Sequence, residues 1–384
     1  QSGQTGRDFS LTTATDNFGP NQAQANQTTG ADDTLIGDAT VAGPAGTGTV
    51  QAGDRFDGAG GQDTFELSSA GQNTTMNLDN TEIISVQDLA AAGGAAGPAG
   101  AATFNAVDAP DVEQIGSDRS TGDIAYTNVQ QKADVSVTGA SGAAPHDFTA
   151  QYATGVVSGA LPVFLNNANI ANLNLGSNGG PDFGQFDFDL TGTSAVGSLQ
   201  DGTGTATSGA STVTFAGSGS VGIATDLLGV TTIDAQNNTG GVGVAIDPNA
   251  NVTFTGGDGP DSVDIAGTGL SSNDTLTGGS GTDTLISATG DQTTGGHLTQ
   301  NNAQSVSGFE VLQTSNGTTQ RYNVDEIIAN NPLTGINIAG TANTTVNNIN
   351  DAALTNSINI FGGGLGASVV TLTAKNFSSG GTAD

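Results

Sequence analysis

The chain has 384 residues, of which 37 are acidic and 6 are basic, so its formal net charge is −31. This charge repels nucleic acid and anionic membrane surfaces, which argues against both as partners and favours cations. The chain has no cysteine, which excludes disulfide bonds and thiolate metal sites. It also has no run of about 18 apolar residues that could span a membrane.

Short apolar runs of period 2, separated by Gly, Asn, Asp and Thr, extend along most of the sequence and predict short β-strands. Charged residues make up only 11% of the chain, which argues against a disordered acidic tail. The fold class predicted is therefore all-β, and a thin solenoid core suits the modest apolar content.

The first predicted segment, residues 1–88, is rich in Gly and Asp and contains the candidate cation ligands Asp33, Asp54 and Asp63. Residues 89–103 follow. Their alanines favour helix, but four glycines and a proline within this stretch predict a linker or loop instead. Residues 104–384 are predicted to form the main β-solenoid.

Asp187 and Asp189 alternate with apolar residues in the middle of the chain. A paired-carboxylate glycosidase site is one interpretation of this pattern. We favour a strand with one apolar and one solvated acidic face. Further on, apolar strand centres near Ile233, Val244, Phe254 and Val263 recur every nine to eleven residues, a spacing typical of solenoid faces or of a β-sandwich.

Two segments, 256–264 and 278–286, fit the pattern G-G-x-G-x-D-x-U-x without exception, where U is a large apolar residue. This pattern is the calcium-binding repeat of parallel β-solenoids. Its glycines allow a tight turn with positive φ, its aspartate supplies a hard oxygen ligand, and its apolar residue begins a strand. The candidate ligand residues are Gly257, Gly259, Asp261, Gly279, Gly281 and Asp283.

Residues 322–330 are the one short helix candidate near the C-terminal end, and Ile336 and Ile338 alternate as in a strand. A weak internal duplication relates residues 54–65 to residues 274–285. In both blocks two aspartates lie nine residues apart, each two residues before an apolar residue. A strand with a glutamate near its start, Glu82 or Glu310, follows each block.

With these motifs the chain resembles the calcium-binding RTX-type S-layer proteins of Gram-negative bacteria, and the Caulobacter type in particular. The similar stretches are residues 9–13, 30–37, 54–65, 254–285 and 308–312. The resemblance implies a parallel β-helix or β-roll with Ca²⁺ bound in its turns, type I secretion, and assembly into a lattice at the cell surface.

In that family two nonapeptides make one turn, so loops about 18 residues apart stack and share a calcium ion. Asp261 and Asp283 are 22 residues apart, which predicts one turn plus an insertion. Asp33 and Asp54 are 21 residues apart and are predicted to stack likewise. Asp63 and Asp274 are then expected on the opposite edges of their turns. The alternative for all these aspartates is that they form Asx turns without metal.

The predicted function is that of a structural extracellular protein that self-assembles into a calcium-stabilised surface layer or filament. The alternative is a type I-secreted RTX adhesin or binding module. The expected partners are further copies of the chain, with a cell-surface polysaccharide as a candidate ligand. We expect no enzymatic activity, because His146 and His297 lie outside any zinc-protease motif and basic residues are too few for a polysaccharide lyase.

Overall fold

A computed structural model gives the fold. It describes residues 5–40, 48–51, 53–90, 101–139, 144–177, 183–201, 210–265, 270–287, 305–314, 320–323, 330–339, 344–350, 359–363 and 370–375. The chain divides into two compact units, Gln1–Ala210 (unit 1) and Ser211–Asp384 (unit 2). Among the described residues, no helix has the length and apolar character needed to cross a bilayer.

The described residues of unit 1 form short strands and two single-turn 3₁₀ helices. Its strands are β1 (Asp8–Ser10), β2 (Asn17–Phe18), β3 (Thr34–Ala39), β4 (Arg55–Asp57), β5 (Thr64–Ser69), β6 (Asn73–Thr75), β7 (Asn77–Asp79), β8 (Ile83–Asp88), β9 (Ala102–Asn105), β10 (Gln114–Asp118), β11 (Ile124–Val129), β12 (Asp134–Thr138), β13 (His146–Tyr152), β14 (Ala160–Asn166), β15 (Asn169–Ser177), β16 (Gln185–Thr191) and β17 (Thr193–Asp201). The 3₁₀ helices are Gln24–Asn26 and Ala106–Asp108.

The described residues of unit 2 also form short strands. Its strands are β18 (Thr212–Gly217), β19 (Ser220–Leu227), β20 (Thr232–Asn238), β21 (Val242–Ile246), β22 (Thr253–Thr255), β23 (Ser262–Asp264), β24 (Thr275–Thr277), β25 (Thr284–Ser287), β26 (Val306–Ser307), β27 (Val311–Thr314), β28 (Gln320–Asn323), β29 (Gly335–Ala339), β30 (Thr344–Asn350), β31 (Asn359–Gly363) and β32 (Val370–Lys375).

Every described strand pair is parallel, and strands from successive turns lie side by side. In unit 1 the sheet orders are β1-β3-β5-β8-β10-β12-β14-β16, β6-β9-β11-β13-β15-β17 and β2-β4-β7. In unit 2 they are β18-β20-β22-β24-β26, β19-β21-β23-β25-β27-β29-β31 and β28-β30-β32. Chain-sequential strands alternate between sheets in this way because each turn of a solenoid contributes one strand to each face. The all-β parallel solenoid predicted from the sequence is confirmed.

The core is a set of apolar rows that follow the register from turn to turn. One row of unit 1 consists of Phe9, Leu35, Phe65, Ile84, Ile115, Val135, Val163 and Phe188, all buried. The matching row of unit 2 consists of Val213, Ile233, Phe254, Leu276 and Val306. Parallel in-register pairing places like residues above one another, so a period-2 pattern in each short strand builds a continuous interior.

The predicted helix over residues 322–330 is wrong where it can be compared, because residues 322–323 belong to strand β28. The rest of that prediction, 324–329, lies outside the described residues. Most of the predicted linker, residues 91–100, also lies outside them, and strand β9 already begins at Ala102. Asp187 and Asp189 lie on the outward face of β16 while Phe186 and Phe188 are buried, as the alternation predicted.

Candidate metal centre

A column of acidic side chains links successive turns of unit 1 at the start of the β3-β5-β8 strands. The backbone N–H of Asp33 donates to Asp63 Oδ1 at 2.6 Å, and the N–H of Asp63 donates to Glu82 Oε2 at 2.7 Å. Asp33 in turn accepts the N–H of Arg7 at 2.7 Å. Each carboxylate thus bonds to the backbone one turn earlier, just before the strand begins.

Unit 2 contains the same column. The N–H of Asp261 donates to Asp283 Oδ1 at 2.8 Å, and the N–H of Asp283 donates to Glu310 Oε2 at 2.8 Å. Asp261 accepts the N–H of Val242 at 2.6 Å, as Asp33 accepts that of Arg7. We call the two sets, Asp33–Asp63–Glu82 and Asp261–Asp283–Glu310, the carboxylate triads. The duplication noticed in the sequence is therefore a structural one.

The central aspartate of each triad differs from its neighbours. Asp63 and Asp283 are both fully buried, and the Oδ2 atom of each has no hydrogen-bond partner in the described part of the chain. Asp33 and Asp261, by contrast, also use Oδ2, which accepts the N–H of Thr29 at 2.6 Å and that of Gly257 at 2.8 Å. A buried carboxylate oxygen without a partner is costly unless a proton or a cation satisfies it.

Burial is the largest cause of the raised pKa values of these central aspartates. It raises the pKa of Asp63 to about 7, helped by the negative charges of Glu82 and Asp33 and opposed by the bond from the Asp33 amide. The pKa of Asp283 rises to about 6 for the same reasons, with Asp261 and Glu310 as the charged neighbours. Both carboxylates therefore favour a positive partner when they ionise.

Carbonyl oxygens lie close to both central aspartates. A Cβ atom built on Gly58 would lie 2.2 Å from Asp63 Oδ2 and 2.3 Å from the carbonyl oxygen of Asn80. In unit 2 a Cβ on the equivalent Gly278 would lie 2.0 Å from the Gly308 carbonyl oxygen and 2.9 Å from Asp283 Cβ. Only glycine fits at either position.

The backbone that presents these carbonyls is alike in both copies. Asn80 and Gly308, each two residues before the triad glutamate, have φ values of 48° and 73°. The left-handed conformation recurs where each turn brings a carbonyl oxygen against the equivalent glycine, Gly58 or Gly278.

A third pair of predicted ligands, Asp54 and Asp274, lies on a different edge of the turn. Asp54 accepts the N–H groups of Asp16 at 2.8 Å and Gln51 at 2.6 Å. Asp274 likewise accepts those of Val252 at 2.7 Å and Ser271 at 2.5 Å. Both oxygens of each carboxylate are used by the backbone, which is the turn-forming role considered as the alternative.

The nonapeptide glycines have two separate roles in the turns. Gly279 and Gly281 have φ values of 102° and 134°, as the motif predicted, and they lie over Gly257 and Gly259 of the preceding turn. The Gly257 carbonyl accepts the N–H of Ser280 at 2.8 Å. Gly257 and Gly259 instead allow close packing of the backbone. A Cβ on Gly257 would lie 2.1 Å from the Asn238 carbonyl oxygen, and a Cβ on Gly259 would lie 2.3 Å from the Gly241 nitrogen.

The predicted stacking holds for one pair and fails for the other. Asp261 and Asp283 are one turn apart, and Asp274 lies on the opposite edge of the turn, as expected. The predicted stacking of Asp33 with Asp54 is wrong, because Asp54 precedes a strand of another sheet. The placement of Asp63 on the opposite edge is wrong too, because Asp63 stacks directly with Asp33. The reason is turn length, since 30 residues separate Asp33 from Asp63.

The triad glutamates, Glu82 and Glu310, were not predicted as site residues. The signal was present, because each occupies the same place after its duplicated block. Within the described residues, no group of three or more acidic or histidine side chains converges for a metal ion. A cation at a triad would therefore be held by one or two carboxylates together with backbone carbonyls and water, a donor set that suits calcium and its preference for oxygen.

No protein-family model matches this chain, and no curated protein or solved structure matches it either.

Proposed function

We propose that this chain is a structural protein of the cell exterior whose solenoid is stabilised by calcium and which self-assembles into a surface layer or filament. The observation that carries the proposal is the duplicated carboxylate triad, in which a fully buried aspartate oxygen is left without a partner in both copies. A feature that costs stability twice at equivalent positions points to a ligand that offsets the cost.

Calcium fits this position better than other ions. The nearby donors are carboxylate and carbonyl oxygens, which are hard ligands, and calcium accepts six to eight oxygens at about 2.3–2.6 Å in flexible geometry. Magnesium would demand stricter octahedral geometry, and zinc favours nitrogen and sulfur. At Asp63 the free Oδ2 and the Asn80 carbonyl oxygen are near enough to each other to share one calcium ion.

The extracellular location rests on the sequence resemblance. The charge of −31 makes association of copies unfavourable unless cations intervene. Calcium outside the cell is abundant enough to fill weak sites, so folding and assembly would follow secretion.

The test is calcium removal from the full chain, read by circular dichroism and thermal unfolding. We expect calcium to raise the melting temperature, and an Asp63→Asn/Asp283→Asn double variant to lose most of that increase. Asp187→Asn, on the outward face of β16, is the matched control and should respond as the wild type does. An unchanged spectrum and melting temperature in chelator would refute the calcium role.

A further inference from the structure

Asp88, like the central aspartates of the triads, has a buried carboxylate oxygen without a hydrogen-bond partner in the described residues, but it belongs to no motif. It ends strand β8 and is fully buried. Its Oδ1 atom accepts the N–H groups of Gly71 at 2.9 Å and Ala90 at 3.2 Å. Its Oδ2 atom is buried without a hydrogen-bond partner among the described residues.

The surroundings of Asp88 also match those of Asp63. A Cβ on Gly122 would lie 2.2 Å from Asp88 Oδ2, the same approach that Gly58 makes to Asp63 Oδ2. Burial raises the pKa of Asp88, and the negative charge of Asp123 adds to this, while the backbone amides of Ala90, Gly71 and Ala102 oppose it. The ion pairs in the described part of the chain are Arg55–Asp79 and Arg119–Asp118. Neither includes Asp88, so no basic side chain there offsets its charge.

Asp123, whose negative charge acts on Asp88, lies beside a groove. It lines a groove of about 410 Å³ in unit 1, together with Asp147 and Thr103. Asp123 Oδ1 accepts the N–H of Asp147 at 2.8 Å, which fixes the carboxylate at the side of the groove. An ion entering this groove would meet Asp123, the charged neighbour of Asp88.

We infer that Asp88 and Asp123 hold a further divalent cation at the end of strand β8 opposite to Glu82. Six extended residues, about 20 Å, separate this corner from the triad, so the two positions bind separate ions. Oxygen donors again favour calcium over zinc. The inference rests on the proposed function only in the choice of the ion, because its residues are distinct from both triads.

The experiment counts calcium ions bound per full-length chain by equilibrium dialysis. Asp88→Asn keeps the shape and the oxygen that accepts the Gly71 and Ala90 amides, and we expect it to bind one ion fewer than the wild type. Gly122→Ala places a methyl group against Oδ2 and should lose the same ion. Gly184→Ala is the control, since a Cβ there meets no atom within 4 Å.

The outcomes separate this inference from the proposed function. If Asp88→Asn and Gly122→Ala bind as many ions as the wild type while the Asp63→Asn/Asp283→Asn variant loses two, the Asp88 site is refuted and the triads stand. Loss of one ion in Asp88→Asn with no loss in the double variant supports the Asp88 site and contradicts the triads. If Asp88→Asn fails to fold, as judged by circular dichroism, Asp123→Asn replaces it, with the same expected loss of one ion.

Discussion

At the scale of single residues, the two carboxylate oxygens of each central triad aspartate have different surroundings. Oδ1 of Asp63 and of Asp283 accepts an amide from the preceding turn, while Oδ2 has no partner in the described residues. The outer members, Asp33 and Asp261, use both oxygens for backbone amides. Position in the triad therefore decides whether an aspartate is available to an ion, although the sequence motif treats Asp261 and Asp283 alike.

The close approach at Gly58 gives a prediction with a built-in control. Gly58→Ala would place a methyl group 2.2 Å from Asp63 Oδ2, so we expect a loss of about 1–3 kcal/mol in the free energy of unfolding, typical of overpacking. Gly60→Ala, two residues on, meets no atom within 4 Å and should change it by less than about 0.5 kcal/mol. Urea denaturation in saturating calcium measures both, and equal losses would contradict the assigned contact.

The raised pKa values predict how stability depends on pH in chelator. Asp63 titrates near 3.8 when unfolded and at about 7 when folded, so the folded state holds its proton more tightly. Its contribution to stability is complete below about pH 4 and is lost as the pH rises through 7. Asp63→Asn, which cannot ionise, should therefore gain stability relative to the wild type between pH 4 and pH 8.

Thermal unfolding of both proteins across that range measures the difference. For Asp283 the same loss should be complete at a lower pH, because its folded pKa is about 6. A constant difference between wild type and variant at all pH values would show that these carboxylates are not buried as described. In saturating calcium the dependence should flatten, because the ion favours the ionised form.

At the scale of strands and turns, the sequence predicted which segments are strands far better than it predicted which residues stack from one turn to the next. Strands β20, β21, β22 and β23 were evident from period-2 alternation, although burial alternates throughout only in β22 and β23, and only over the first residues of β20 and β21. The stacking of Asp33 was missed because turn length varies, and a repeat of fixed length predicts register only when insertions are absent. Asp88 had no local signal, since its burial depends on strands far away in the sequence.

Tyr126 offers a test of how the sheets are joined. It lies in β11, yet its hydroxyl contacts the facing sheet: it donates to the Gly116 carbonyl of β10 at 2.5 Å and accepts the Gly116 N–H at 3.3 Å, and the Ile84 carbonyl oxygen of β8 is 3.1 Å away. Tyr126→Phe would leave these buried backbone groups unsatisfied, and we expect a loss of about 1–3 kcal/mol in the free energy of unfolding.

Tyr152→Phe is a useful comparison for Tyr126→Phe. The Tyr152 hydroxyl is also buried but donates to a single carbonyl, that of Ala133 at 2.7 Å. Its removal should cost less than removal of the Tyr126 hydroxyl. Denaturant unfolding of the two variants gives the comparison, and a larger loss in Tyr152→Phe would mean that the Tyr126 contacts contribute little.

At the scale of the whole molecule, the negative charge opposes association of copies, whereas the repeated triads are proposed sites for cations that would reduce this repulsion. Each unit contains one complete triad, so calcium would stabilise both parts of the chain by the same means. Roughly 16 divalent ions would be needed to cancel a net charge of −31, so a few buried sites relieve only part of the repulsion. Most of the charge remains on the surface, where it keeps separate copies apart unless cations are present.

The last prediction concerns assembly, which should require calcium and an available sheet edge. Among the strands that the structure describes, β1 is at the end of its sheet and pairs with β3. The Leu11 N–H donates to Ile36, so by alternation the N–H of Ser10 points away from β3, where a strand from another copy could pair. Ser10→Pro removes this donor and should weaken assembly while leaving calcium binding intact.

Light scattering and negative-stain microscopy across a calcium titration measure the assembly. We expect ordered arrays in millimolar calcium, reversal by chelator, and poor substitution by sodium chloride, because screening alone cannot bridge two carboxylates. Asp187→Asn should assemble as the wild type does, since it changes one outward-facing charge and no edge. A chain that stays monomeric at high concentration in millimolar calcium would refute self-assembly and favour the adhesin, because a binding module needs the same calcium-stabilised solenoid but no second copy.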